Sequence, residues 1–189
     1  LVKTLVEKDT LYMHGKKIIV SGPQEDRVIR AFNNVRFYKS DMSGKCDSLH
    51  SNNKTQLTKM IGKPILWNNE NQMTGDIMHL IGNNKTQKLD SLKVLNNAFI
   101  IQKDSLSKNG YNQIKGQNLY GKFIDSKLKE VDVVKNAEVI YYMYNDANEF
   151  IGINKTVCSK INLELEENKI DAITFFTKTD SHIYPEADF

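Results

Sequence analysis

The sequence has few residues that could brace or break its backbone, with two cysteines, three prolines and ten glycines among 189 residues. Two cysteines are too few for a disulfide framework, so the chain must fold around a hydrophobic core. Its apolar residues come in short runs, none long enough to cross a bilayer as a helix. Apolar residues still make up 40% of the chain, which is enough for the core of one ordinary domain.

An excess of charge and the common chemical motifs are missing as well. The chain has 26 basic and 23 acidic residues, a net charge of +3, and this balance does not favour nucleic acid as a partner. There is no glycine-rich phosphate loop, no G-x-S-x-G and no C-x-x-C. His50 and His79 fall at neighbouring positions of equivalent segments, but exposed strand histidines are far commoner than metal pairs. We therefore expect no metal and no cofactor.

What the sequence does contain is a repeated segment in which apolar and polar residues alternate. Residues 92–101 read LKVLNNAFII, close copies occupy 29–38 and 131–140, a weaker copy occupies 58–67, and a partial one begins at Ile173. Alternation is typical of a strand with one buried face. Asn or Gly at the polar centre tolerates the left-handed backbone that a bend requires. Each copy therefore predicts a strand, a corner and a second strand.

A second repeated element predicts the hairpin turns. The triplets at 53–55 and 84–86 both read Asn-Lys-Thr, and 125–127 is a diverged version, Asp-Ser-Lys. Such residues accept positive φ and keep a turn solvated. Self-similarity in a strand-rich chain predicts stacked strands that bury their apolar faces against their neighbours. We expect one domain over 1–189, with 1–8 and 186–189 as loose ends or an incoming strand.

Aligned copies separate an apolar face from a polar one. Val35 and Phe37 begin two apolar columns, while Arg36 and Glu138 point the other way. The first column contains Val35, Pro64, Ala98 and Ala137, and the second contains Phe37, Leu66, Ile100 and Val139. The sequence alone leaves open whether these columns line a groove or fill a core.

The cysteines and the densest aromatic cluster have structural interpretations. Cys46 and Cys158 fall on distant repeats, so we expect two free, half-buried thiols rather than a bridge. As part of a strand, Tyr141 would point inward and Tyr142 and Tyr144 outward. The outward pair could form a contact surface or pack across strands, and packing is favoured.

The corners carry a family resemblance. Asn-Asn-Val at 33–35 and Asn-Asn-Ala at 96–98, with alternating strands on either side, resemble the Gly-Asn-Val corners of the OstA/LptA-type family of periplasmic lipopolysaccharide-transport proteins. The family's usual corner Gly is replaced here by Asn33, Asn96 or Lys135. The resemblance runs from about Asp9 to Pro185. Further segments that resemble, more narrowly, the OstA-like proteins of Bacteroidetes-type bacteria are 45–49, 64–67, 71–76 and 111–116.

The resemblance implies an all-β, antiparallel, repeat-built β-jellyroll, often described as a folded taco. It implies a non-enzymatic periplasmic protein whose apolar interior shields the acyl chains of lipopolysaccharide or another lipid, with no catalytic residues. It also implies end strands that stack head to tail with neighbouring jellyroll proteins or with a second copy. Because such proteins are commonly longer, we expect this chain to be part of one. The residues expected to line the lipid groove are Leu11, Val35, Phe37, Leu49, Leu66, Met78, Ala98, Ile100, Leu119, Val139 and Tyr141.

Two other functions stay open at this point. One is a structural or adhesive scaffold whose core is filled. The other is a carbohydrate-active β-solenoid enzyme, which would need clustered carboxylates on one outer face. Asp47, Asp76 and Asp90 recur with the repeat, whereas an enzyme site usually interrupts it, so we interpret them as strand-edge and turn residues.

Overall fold

The computed structural model describes residues 2–6, 9–68, 70–86, 88–125, 127–166, 169–177 and 179–185. Within these ranges the chain forms fifteen strands and no helix, and so no helix able to cross a membrane. The strands, all paired antiparallel, are β1 (Val2–Val6), β2 (Asp9–His14), β3 (Lys17–Ser21), β4 (Val28–Lys39), β5 (Met42–Asn52), β6 (Leu57–Ile61), β7 (Ile65–Asn68), β8 (Asn71–Thr74), β9 (Ile77–Gly82), β10 (Leu89–Lys103), β11 (Tyr111–Ile124), β12 (Lys127–Tyr144), β13 (Phe150–Glu166), β14 (Lys169–Phe176) and β15 (Asp180–Tyr184).

The long strands bend at pairs of residues in the left-handed region. The pairs are Asn33 and Asn34 in β4, Asn96 and Asn97 in β10, and Lys135 and Asn136 in β12, with φ between 51° and 64°. The pairing register shifts at each pair, which is the signature of a bulge that turns the strand. In the weaker copy Gly62 and Lys63 adopt the same conformation and separate β6 from β7. The corners predicted from the repeats are confirmed.

Because the strands bend, the hydrogen-bonded network divides into two half-sheets. Sheet A runs through β3, the first half of β4, the second half of β5, β6, β9, the first half of β10, the second half of β11, the first half of β12, the second half of β13, and β14. Sheet B runs through β1, β2, the other halves of those strands, β7, β8 and β15. This is the β-jellyroll expected from the sequence.

The predicted turns and ends fall as follows. The Asn-Lys-Thr triplet at 53–55 joins β5 to β6, and the one at 84–86 lies between β9 and β10. Residues 2–6 form β1, which pairs with β2 as an incoming strand. Residues 186–189, expected to be loose, lie outside the described residues.

One hydrophobic cluster contains buried residues from both half-sheets. Sheet A contributes Met60, Leu92 and Val131, and sheet B contributes Leu66 and Ile100, each at most 4% exposed. The two half-sheets therefore enclose a common interior between them. This interior is where a ligand site would have to form.

Candidate functional site

The interior face of sheet B is an apolar ladder built from one residue of each successive strand. Phe37 pairs with Gly44, Gly44 with Leu66, and Leu66 with Met73. The row continues along β10, β11 and β12. Its buried apolar members are Met13, Phe37, Leu66, Met73, Ile100, Ile114 and Val139. Period-two alternation places all of them on the same face of the sheet.

The structure brings all the predicted groove residues to this interior. Nine of them are at most 9% exposed and belong to the single hydrophobic cluster: Val35, Phe37, Leu49, Leu66, Met78, Ala98, Ile100, Leu119 and Val139. Leu11 and Tyr141 are partly buried and pack against the same cluster. Burial raises the pKa of the Tyr141 phenol, and Asp104 adds to the rise. Contact of these residues with lipid stays a prediction.

The predicted outward residues lie on the opposite face. Arg36 is exposed and Glu138 is half-buried on the outside of sheet B. The Oε2 atom of Glu138 lies 2.9 Å from Nζ of Lys115, and its Oε1 atom lies 3.9 Å from Nζ of Lys155. The predicted register of the strands is therefore confirmed.

At each end of the molecule an exposed apolar side chain faces the interior, although neither belongs to the ladder, whose row continues from Val139 to Thr156 and Ser181. Val20 of β3 pairs with Ile29, which lies two residues before buried Ala31 and therefore faces the same side. Val20 thus faces inward, and it is 49% exposed. Ile183 of β15 pairs with Asn154 on the inner face of sheet B and is 57% exposed. The sequence analysis missed both residues. The only signal available was alternation in β3 and β15, which lie outside the clear repeat copies.

The two walls of the interior differ in polarity at their rims. At the third inward-facing residue after the corner, sheet B has four carboxamide side chains on directly paired positions of neighbouring strands. They are Asn68, Asn71, Gln102 and Asn112, each at most 6% exposed. The matching level of sheet A is apolar and contains Leu89, Phe123, Leu128, Leu165 and Ile170.

Two atoms of this amide row are unsatisfied. Among the described residues, Asn68 Oδ1 and Asn71 Nδ2 are buried without a hydrogen-bond partner, although the two residues face each other across the β7–β8 turn. Asn68 Nδ2 donates to the Asp41 carbonyl oxygen at 3.0 Å, and Asn112 Oδ1 accepts from the Tyr142 amide at 3.0 Å. Buried polar atoms normally have partners. One acceptor and one donor on directly paired residues would suit a hydroxyl group, which can satisfy both.

The thiols are not disposed for chemistry. Cys46 and Cys158 are free and buried, more deeply than the half-buried sites expected from the sequence. Burial raises the pKa of Cys46 to about 11, against a lowering by the Ile61 backbone. Burial also raises the pKa of Cys158. Neither thiol has the lowered pKa of a nucleophile.

The other candidate groups have structural roles. His50 and His79 both pair with Lys59, which lies between them and separates the neighbours expected from the sequence. Burial lowers the pKa of His79, and Lys59 and Lys93 lower it further. Within the described part of the chain no group of three His, Cys, Asp or Glu side chains could hold a metal ion.

The outward tyrosines and the recurring aspartates likewise pack or turn the chain. The ring of Phe150 lies 6.1 Å from that of Tyr142 and 5.8 Å from that of Tyr144, so the outward tyrosines pack across strands as expected. Asp47 and Asp76 are exposed at corners, where the Asp76 carboxylate accepts from Asn97 Nδ2 at 3.0 Å. These residues have the turn roles predicted for them.

The comparison with known proteins identifies the fold of this chain. No family model matches the chain, and no curated protein does. Among solved structures, the chain is similar to LptH, described as the LptA homologous periplasmic component of the conserved lipopolysaccharide transport device from Pseudomonas aeruginosa. The match has a TM-score of 0.57 at 15% identity and covers 76% of this chain and 95% of LptH. The chain therefore has the β-jellyroll fold of LptH, as the corners of its sequence predict.

Proposed function

We propose that this chain is a non-enzymatic periplasmic bridge that shields the acyl chains of lipopolysaccharide or a similar lipid between its two half-sheets. The observation that carries the proposal is the apolar interior between the half-sheets, where Val20 of sheet A and Ile183 of sheet B face inward and are exposed at opposite ends of the molecule. An interior with exposed apolar side chains at both ends can pass an acyl chain to a neighbouring molecule. Removal of that chain from water contributes roughly 25 cal/mol per Å². The narrower resemblance to the OstA-like proteins of Bacteroidetes-type bacteria stays a prediction.

The amide rim supports an amphipathic ligand rather than a plain hydrocarbon. Acyl chains would lie against the apolar levels of both sheets, and the polar head would lie at the carboxamide row of sheet B. The unsatisfied Asn68 Oδ1 and Asn71 Nδ2 would then receive a hydroxyl of the head group. The matching level of sheet A is apolar where it contains Leu89, Phe123 and Leu128, and the inward Ser51 and Thr58 hydroxyls already bond to each other, so the head group would be oriented toward sheet B.

The open sheet edges support assembly with similar proteins. Within the described ranges, β3 and β14 are the edges of sheet A, and β1 and β15 are the edges of sheet B. Free edges are usually blunted by charge or bulges, yet these carry exposed Ile19, Val20, Phe176 and Ile183. Addition of another jellyroll strand by main-chain hydrogen bonds would continue both sheets and the interior ladder at once.

Lipid contact is tested by photo-crosslinking at matched positions. A photoreactive residue replaces Ile183, which faces the interior, or Phe176, which faces outward and is similarly exposed at 41%. With lipopolysaccharide we expect crosslinks from position 183 and few from position 176. Equal crosslinking at both positions, or none at either, rejects a specific interior site.

A filled scaffold is the second candidate, because the interior side chains already contact one another in one cluster. Phe37→Asp and Ile100→Asp separate the two functions. In a groove that opens, the carboxylate can be hydrated, so the melting temperature falls modestly while crosslinking to lipid from Leu66 is lost. In a filled core the buried charge costs several kcal/mol, enough to unfold a protein with a margin of roughly 5–15 kcal/mol.

Head-to-tail assembly has its own test. Continuous sheets require β14 of one molecule to meet β3 of the next, and β15 to meet β1. We therefore expect intermolecular disulfides when Ile19→Cys is mixed with Thr174→Cys, both on the outer face of sheet A edges. The control mixture of Ile19→Cys with His182→Cys pairs edges of different sheets, so it should form no disulfide-linked dimer. Crosslinking in both mixtures to the same extent contradicts the ordered stack.

A further inference from the structure

Three basic side chains lie next to one another on the outer face of sheet B. His14 pairs with Arg36, and Arg36 pairs with Lys45, so the three stand in direct cross-strand register. All three are exposed. Like charges directly opposite one another destabilise a sheet. In the described part of the chain no carboxylate lies within ion-pair distance of any of them.

Farther along the same cross-strand row, the positive charges are paired with a carboxylate. Beyond β5 it passes through Ile65, Thr74 and Phe99 and reaches Lys115, which pairs with Glu138. There Lys115 Nζ lies 2.9 Å from Glu138 Oε2, and Lys155 approaches the other oxygen. The outer face of sheet B thus balances its charges at one end and leaves them unbalanced at the other. Two unbalanced cations, Arg36 and Lys45, beside a histidine that can donate a hydrogen bond are suited to an anion.

A row of aromatic side chains runs beside the basic row. Tyr12 pairs with Tyr38, Tyr38 with Ser43, and Ser43 with Trp67. Tyr12 and Tyr38 are 38% and 59% exposed. Trp67 Nε1 donates to Gln72 Oε1 at 2.8 Å, which holds the indole in place. Large exposed rings with a polar edge are typical of contact surfaces.

The two rows border an open depression of about 490 Å³. Its size is within the usual range of small-ligand sites. Its lining contains His14, Arg36 and Lys45 together with the three aromatic residues, and no Asp or Glu. The lining also includes Met13, Phe37 and Gly44, the inward-facing residues that lie between these positions along β2, β4 and β5. The other seven lining residues face outward, so we place the depression on the outer face of sheet B, away from the apolar interior.

We propose that this depression binds an anionic saccharide, with the cations facing its phosphate or carboxylate groups and the aromatic rings beneath its sugar rings. The Arg36 guanidinium can bind either anion through two parallel hydrogen bonds. The basic side chains are confined to three neighbouring strands, and the row continues with uncharged Ile65 and Thr74. A nucleic acid would need a longer basic track, so a compact ligand with few charges fits this surface better. The proposal does not depend on lipid binding in the interior.

The test compares charged and neutral sugars on the ¹⁵N-labelled chain by NMR. Trehalose 6-phosphate and digalacturonate are the charged probes, trehalose is the neutral one, and inorganic phosphate and a short oligothymidylate are further probes. We expect the charged sugars to bind about tenfold more tightly than trehalose at low salt. The shifted amides should lie in β2, β7 and the adjoining halves of β4 and β5.

Matched variants then assign the groups. Arg36→Ala and Lys45→Ala should each weaken binding of the charged sugars about fivefold, and Tyr38→Ala should weaken binding of charged sugar but not of inorganic phosphate. The control is Lys160→Ala, a partly exposed lysine that is paired with Asp132 on sheet A, and it should change nothing. Equal binding of trehalose and its phosphate, or unchanged binding in Arg36→Ala and Lys45→Ala, overturns the proposal. So does inorganic phosphate or oligothymidylate binding as tightly as the charged sugars, since either outcome would assign the surface to another ligand class.

Discussion

A methyl group on Gly44 would lie 2.5 Å from Cε1 of Phe37, because the Phe37 ring fills the space that this glycine leaves on the neighbouring strand. Phe37 lies near the first end of the interior ladder and is 9% exposed. The glycine thus determines how deeply a predicted groove residue sits. The sequence gives Phe37 the correct face, but only the pairing of β4 with β5 reveals its contact with Gly44.

Gly44→Ala should lower the free energy of unfolding by about 1–3 kcal/mol, because the Phe37 ring must move against packed neighbours. The measurement is urea unfolding followed by circular dichroism. Gly15→Ala is the control, since the added methyl would meet only ordinary contacts, with Phe32 O at 3.4 Å. Stability unchanged in both variants would show that the Phe37 ring shifts freely and that this end of the interior is loosely packed.

Lys135→Gly should raise the free energy of unfolding by roughly 0.5–1 kcal/mol. Lys135 has φ of 64°, which is strained for an L-residue with a Cβ and free of cost for glycine. Lys129→Gly is the matched control in the same strand, with no positive φ, and should destabilise the protein through lost strand propensity. If both variants are destabilised equally, the corner conformation of Lys135 does not contribute the expected strain.

Cys46 should resist alkylation in the folded protein, because its thiol is buried and its pKa is raised to about 11. The folded state favours the neutral thiol, so this stabilisation is fully present below the unfolded-state pKa of about 8.5 and is lost as pH rises toward 11. The measurement is thiol labelling at pH 8 with and without urea, in a Cys158→Ala background. Rapid labelling without urea would show that the corner of β5 opens frequently.

The inner face could be predicted from sequence because every repeat copy carries the same alternation around a polar corner. A single register error would have reversed Phe37 and Arg36 together, and five partly redundant copies exclude such an error. The corner conformations could be predicted equally well, since Asn33 and Asn96 are residues that accept positive φ.

Features that depend on contacts between different strands could not be predicted. Asn68, Asn71, Gln102 and Asn112 are adjacent only because four strands align at the same distance from their corners. His14, Arg36 and Lys45 likewise come from three strands separated by loops of unequal length. The sequence suggested His50 and His79 as neighbours, but it did not show that β6 lies between their strands and contributes Lys59.

Arg36→Glu should raise the free energy of unfolding by roughly 0.2–1 kcal/mol at low salt, because the carboxylate would stand opposite Lys45 in place of a like charge. The mirror variant is Glu138→Arg in the same cross-strand row, which removes the partner of Lys115 and should destabilise the protein by a similar amount. Both effects should shrink in 1 M salt, where charges on the exposed face are screened over about 3 Å. Thermal unfolding measures the change in stability of each variant at low salt and in 1 M salt.

A natural residue that lowers stability at an exposed site is expected where a ligand supplies the missing charge. If Arg36→Glu is neutral or destabilising at low salt, Arg36 and Lys45 do not repel each other, and the surface has no unbalanced charge for an anion to neutralise.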